Sequence, residues 1–197
     1  TLLELPWNAH TKDNFDLIAA NIKYGVDPGM EFMDNPVDFK MTSNCFFEGL
    51  ARNEILSDKI RFDLIFIDGS HFAEQVDRDI RNSMNYVKDD GFIVIHDCNP
   101  PTEWHARQSQ YYLHTPAGSY WNGTTWKAFL KWRFEPSVHS CCIDTDWGVG
   151  VLSKKHPIGD SIAPANSFFD FGPLEKNRIE YLNLMSFADF KKMMAGT

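Results

Sequence analysis

Two short stretches hold four residues whose types and spacing could do chemistry. They are Asp68 and His71 in Ile67-Asp-Gly-Ser-His71, and His96 and Asp97 in Gly91-Phe-Ile-Val-Ile-His-Asp97. Histidine exchanges a proton near neutral pH, so His71 or His96 could take the proton of an attacking hydroxyl. Asp97 could orient that base or help to hold a cation. The plainer role for each of the four is to cap a strand end and bond a nearby loop.

Each stretch is an apolar run rich in Ile, Val and Phe that stops at an acidic residue, which is the pattern of a strand buried on both faces. Between them Val76, Ile80, Met84 and Val87 fall at helical spacing. Asp77, Arg78, Asp79 and Arg81 are read as a solvated helix face. This is a strand–helix–strand crossover, and ligands of open parallel sheets bind outside the carboxyl ends of the strands. All four residues sit at such ends.

Upstream, Thr1 to Leu5 reads as a first strand ended by Pro6, and Asp13 to Ala20 as a short helix. Ile22 to Val26 reads as a second strand closing on Asp27-Pro-Gly29. A carboxylate at the end of the second strand can accept hydrogen bonds from ribose hydroxyls. Phe39 to Thr42 is a candidate third strand, with Ser43 or Asn44 capping a helix through Leu50. After Asp97, Thr102 to Asn122 mixes Trp104, Tyr111, Tyr112, Tyr120 and Trp121 with Gly, Pro and His. A loop this long is read as a lid, with the aromatics either stacking on a ligand or packing the loop down. Thr124 or Thr125 then caps a helix through Arg133. Ser140 to Ile143 and Val149 to Leu152 form a hairpin, Leu174 to Met185 is helical, and Ser186 caps a last helix.

Lys and Arg total 19 against 27 for Asp and Glu, a net charge of −8. That balance excludes a nonspecific grip on nucleic acid or an anionic membrane, and no apolar run is long enough to span a bilayer. The opening Thr-Leu-Leu-Glu-Leu-Pro does not read as a secretory signal. Cys45, Cys98, Cys141 and Cys142 contain no CxxC, which suits reduced thiols in a cytoplasmic protein and gives no zinc spacing. The length suits one α/β domain over residues 1–197, with 98–125 as an aromatic lid or substrate insertion and 156–197 as a C-terminal loop and helices.

Val26-Asp-Pro28, Thr42-Ser-Asn-Cys-Phe-Phe47, Ile67-Asp-Gly-Ser-His71, Asp79, Gly91 and His96-Asp97 resemble, in order, the pattern of class I S-adenosylmethionine-dependent methyltransferases. More narrowly they resemble a small bacterial and phage branch, methyltransferase domain 24-like, with IDGxH and HD after its fourth and fifth strands. Trp126-Lys127, Asp144-Thr-Asp-Trp-Gly-Val-Gly150 and Asn183-Leu-Met-Ser186 are similar to that branch too. The resemblance implies a three-layer Rossmann-like α/β fold, a mostly parallel seven-strand sheet with an antiparallel last strand. It implies methyl transfer from S-adenosylmethionine to a small, sugar-like or hydroxylated acceptor, with Mg²⁺ as a candidate cofactor and a homo-oligomer left open. Glu4, Asp27, Ser43, Asp68 and Gly69 would meet the donor, and His71, His96 and Asp97 would act on the acceptor.

The family places a glycine-rich turn after its first strand, where the backbone approaches the cofactor. Here the turn reads Glu4-Leu-Pro-Trp-Asn-Ala-His10, without glycine. The alternative is therefore a methyltransferase-fold binding or scaffold protein that no longer holds the cofactor. A nicotinamide-linked Rossmann enzyme is poorly supported, because G-x-G-x-x-G is absent.

Overall fold

The structure is a computed structural model that describes residues 1–5, 17–29 and 37–196. The two apolar runs form β3 (Phe62–Ile67) and β4 (Val87–Ile95), parallel neighbours in register from Leu64↔Phe92 to Ile67↔Ile95. β4 starts five residues earlier than the apolar run. It follows α2 (Ala73–Tyr86) directly and carries a register shift opposite Phe62 and Leu64. β1 (Leu2–Leu5) pairs in parallel with β3 and with β2 (Lys23–Gly25). β5 (His139–Ile143) and β6 (Val149–Ser153) form the expected hairpin, and the two-residue β7 (Leu184–Met185) adds in parallel to β5. The sheet order is β2-β1-β3-β4-β6-β5-β7. β6 is antiparallel to both of its neighbours, β4 and β5.

This is the seven-strand, mostly parallel α/β arrangement that the resemblance implies, except that the antiparallel strand is β6 and the last strand, β7, runs parallel to β5; its layers follow from strand alternation. One face presents Leu3, Ile65, Ile67, Ile93, Ile95 and Leu152 to α1 (Ser43–Ala51), α2 and α3 (Thr125–Trp132). On the other, Cys141, Ile143 and Val151 pack against Phe190, Met193 and Met194 of α6 (Phe187–Ala195). Adjacent Cys141 and Cys142 therefore enter different cores, as a period of two requires. None of the four cysteines is bridged. Burial pushes the Cys141 thiol up to about 12 and those of Cys98 and Cys142 up as well, so all three are inert thiols.

Several local expectations are corrected. Phe39 to Thr42 is a single parallel bridge, Val26↔Phe39, instead of a strand. The Asp38 carboxylate accepts the Gly25 N–H, and Thr42 caps α1 by accepting from Cys45. Of the helix expected over Asp13 to Ala20, residues 13–16 lie outside the described residues, and 17–20 are turn, bend and irregular chain instead of helix. The helix expected over Leu174 to Met185 is divided into α4 (Phe171–Lys176) and α5 (Arg178–Leu182). Asn183 at φ 46° ends α5, a left-handed conformation that asparagine tolerates. Its amide donates to the Ser140 and Ile158 carbonyls, and the chain turns into β7.

The solvated face of α2 is half right. Arg78 and Arg81 are exposed. Asp77 instead ties α2 to α3 by accepting from Lys131 and Trp132. Asp79 is 3% exposed and accepts from Ser43 at 2.6 Å and Gln75 at 3.0 Å. Burial raises its carboxyl to about 6 despite those two donors. Unfolded, the group ionises near 4, so stability present at low pH is lost as pH rises from about 4 through about 6. Asp79→Asn keeps the acceptor and removes the charge. It should add about 1–3 kcal/mol in urea unfolding at about pH 8 and almost nothing at about pH 4. Equal stabilities at the higher pH would contradict a penalised carboxylate.

Candidate active site at the carboxyl edge of the sheet

The register Leu5↔Ile67↔Ile95 brings the ends of β1, β3 and β4 level. Two ladder bonds, Asp68 N to Leu5 O and His96 N to Ile67 O, then carry the chain just past the sheet. The chain leaves regular geometry where the polar residues begin: Asp97 has φ 63° and His71 φ 25°. Non-glycine residues held in such conformations cluster at sites where the surroundings over-determine them. What holds them here is a second set of loops. Cys98 and Asn99 donate to the Gly148 and Trp147 carbonyls of the β5–β6 turn, each at 2.8 Å. Gly148 has φ 89°, and a Cβ there would sit 2.4 Å from the Asn99 nitrogen. That close approach demands glycine.

The four side chains converge. His71 Nε2 lies 3.1 Å from Asp97 Oδ2 and 3.6 Å from Asp68 Oδ1. His96 Nδ1 lies 3.2 Å from Asp68 Oδ1 and 3.4 Å from Asp97 Oδ2, while its Nε2 lies 3.3 Å from Asp146 Oδ2. Burial opposes charge on His96, but the two carboxylates outweigh it and raise the imidazole to about 11. Burial likewise works to raise Asp68, and the bonds to His71 and His96 overcome it and hold the carboxyl below its usual range. The two carboxylates thus favour the charged form of His96.

His71 differs. Its Nδ1 faces the Trp121 carbonyl at 3.2 Å, and a carbonyl only accepts, so Nδ1 carries the hydrogen. Nε2 is then turned on two carboxylates, a position for a proton or a cation. Ligand atoms of Asp68, His71 and Asp97 all lie within 4.8 Å of one another. Two carboxylate oxygens and an imidazole fit a divalent cation on the oxygen-preferring side.

The other expected residues are placed less uniformly. Glu4 and Asp27 are 3% and 5% exposed and lie on this same edge, at the ends of β1 and β2. Asp27 also accepts the Gly29 N–H, as a turn aspartate does. The Ser43 hydroxyl is committed to Asp79 in the α1–α2 interface and is not brought to the cluster. A Cβ on Gly69 would meet only the Leu5 carbonyl, at 3.6 Å, so packing does not demand glycine there. Pro6 and Trp7, where the glycine-rich turn is missing, lie outside the described residues.

The aromatic segment both packs and faces solvent. Trp121 packs on His71 and Phe72, with ring centroids 5.1 and 5.5 Å apart. Trp104, Tyr111, Tyr112 and Tyr120 are exposed. One guanidinium orders the loop: Arg107 donates to the carbonyls of Trp104, Ser109, Gly118 and Tyr120. Sequence reasoning missed Asp146 and Asn122, the latter donating to Asp97 Oδ1 at 2.6 Å. The Asp144-Thr-Asp-Trp-Gly148 turn was the available signal for Asp146. Asp146 also lines a cavity of about 320 Å³ with Asn99, Asp144, Trp147 and Arg178.

Residues 9–98 match the family model of a methyltransferase domain. The matched segment is a little under half of the chain and contains all four clustered side chains. Among solved structures the chain is similar to the MycE methyltransferase of the mycinamycin biosynthetic pathway, solved with Mg, SAH and mycinamycin VI. The two share 17% identity at a TM-score of 0.43, over 89% of this chain and 49% of that one. The chain thus spans about half the length of that relative. No curated protein matches the sequence. No helix among the described residues is long and apolar enough to cross a membrane.

Proposed function

We propose that the protein is an S-adenosylmethionine-dependent methyltransferase of the branch with IDGxH and HD motifs, acting in the cytoplasm on a small hydroxylated, sugar-like acceptor. Residues 1–197 would work as one domain, with 98–125 as the acceptor-facing insertion. The observation that carries this reading is the convergence of Asp68, His71, His96 and Asp97 at the parallel strand ends, beside buried Glu4 and Asp27. The methyltransferase-domain match over the same segment supports it.

Glu4 and Asp27 are the carboxylates for the donor's adenosine, and the Asp68-Gly69 turn receives its methionine end. The acceptor enters by the cavity beside Asp146 and Trp147. Its oxygen gains the methyl group as the sulfonium becomes a thioether, and its proton passes to His71 Nε2. The Trp121 carbonyl faces Nδ1 of that histidine and fixes the ring with Nε2 toward the cluster. His96 stays charged and offsets the two carboxylates. A divalent cation, where present, would be held by Asp68 and Asp97 and would lower the pKa of the acceptor hydroxyl. In-line positioning of donor and acceptor supplies most of the acceleration. The second reading, a binding module without catalysis, draws on Pro6 and Trp7 in place of the glycine-rich turn.

The test is transfer of a labelled methyl group to a panel of sugars and other small hydroxylated compounds, run with Asp27→Ala. Loss of a hydrogen-bonding carboxylate should raise the dissociation constant of S-adenosylhomocysteine about 10–100-fold. An unchanged constant would remove Asp27 from the donor site.

A further inference from the structure

Residues 121–124 return from the aromatic insertion to α3 and touch both halves of the cluster. The Trp121 carbonyl faces His71 Nδ1, and the Thr124 N–H donates to the His71 carbonyl at 2.7 Å. Gly123, at φ 62°, approaches so closely that an added Cβ would lie 2.3 Å from that same carbonyl. Asn122 sits inside this segment, 1% exposed, with its backbone N–H on the His105 carbonyl.

The Asn122 side chain divides the work of Asp97. Its Nδ2 donates to Asp97 Oδ1 at 2.6 Å, leaving Oδ2 for His71 and His96. A carboxylate rotates freely about its last torsion, so without a fixed donor either oxygen could face the imidazoles. The Asn122 Oδ1 atom is buried and has no hydrogen-bond partner among the described residues. A buried amide left half satisfied is a poor choice for stability alone and calls for another reason to be there.

We propose that Asn122 is a positioning residue that fixes the plane of Asp97, so that one oxygen is turned to both imidazoles and the insertion is locked to the site. Its consequence for turnover rests on the methyltransferase reading; its consequence for the imidazoles does not. The experiment compares wild type with Asn122→Ala and the isosteric Asn122→Asp. Long-range ¹H–¹⁵N spectra report the hydrogen bonding of His71 and His96, and steady-state kinetics report transfer. In both variants the His71 and His96 signals should move. Turnover should fall about 10–100-fold, as for loss of an outer-shell partner, with KM for the methyl donor nearly unchanged.

Imidazole signals that stay in place would overturn the proposal. So would a KM for the donor that rises in step with the fall in kcat, or loss of cooperative unfolding in both variants, since either describes a structural role. Imidazole signals that move in the variants, together with a wild-type protein that shows no transfer activity, would refute the proposed function and uphold the positioning role.

Discussion

Replacing His71 by Ala is expected to lower methyl transfer by about 10²–10⁴-fold, the usual contribution of a positioned general base. The expectation rests on its two nitrogens. Nδ1 is satisfied by the Trp121 carbonyl, and Nε2 is turned into the space between Asp68 and Asp97. The variant should still unfold cooperatively and bind S-adenosylhomocysteine with nearly wild-type affinity, and added imidazole should restore part of the rate. His96→Ala should behave differently, because it removes the imidazole that faces both carboxylates. Its loss should raise the Asp68 carboxyl and cost stability as well as rate. A His71→Ala enzyme turning over at the wild-type rate would refute the assignment of the base.

The largest effect on stability is expected at Arg133. This residue is 3% exposed, and its guanidinium donates to the Ser140 carbonyl and hydroxyl at 2.9 Å each and to the Asp160 carbonyl at 2.7 Å. Nε reaches the Tyr181 carbonyl at 3.3 Å. One side chain thus joins α3 to β5, to the loop after β6 and to α5. Arg133→Ala strands several buried carbonyls and should cost about 3–5 kcal/mol, since each unsatisfied group costs about 1–3 kcal/mol. Urea unfolding measures this directly, and a loss below about 1 kcal/mol would contradict the hub. Turnover in surviving folded protein should also drop, because β5 and β6 carry the turn that places Asp146 on His96.

What could be read from the chain, and what could not, divides along sequence distance. β3, α2 and the β5–β6 hairpin were legible because short apolar runs ending in Gly or Asp, and a helical spacing between them, are local signals. The edge on which Asp68, His71, His96 and Asp97 meet followed from those strands alone. The burial of Asp79 did not, because it depends on Ser43, 36 residues away, reaching it from another helix. Asn122 is 25 residues from the Asp97 it holds. The upward push on the His96 imidazole comes from two carboxylates that only the folded sheet brings together. Arg133 looked like part of a helix face, while its partners lie on three later segments.

The account stands on whether the edge carrying Glu4, Asp27, Asp68 and Gly69 takes the methyl donor. A calorimetric titration with S-adenosylhomocysteine, with and without Mg²⁺, measures that directly. The account predicts saturable one-to-one binding, weakened by Asp27→Ala, with about 2.7 kcal/mol of added stability at about 100 times the dissociation constant. Absence of heat and of stabilisation at millimolar ligand would contradict it, and would leave a methyltransferase-like sheet serving as a binding module.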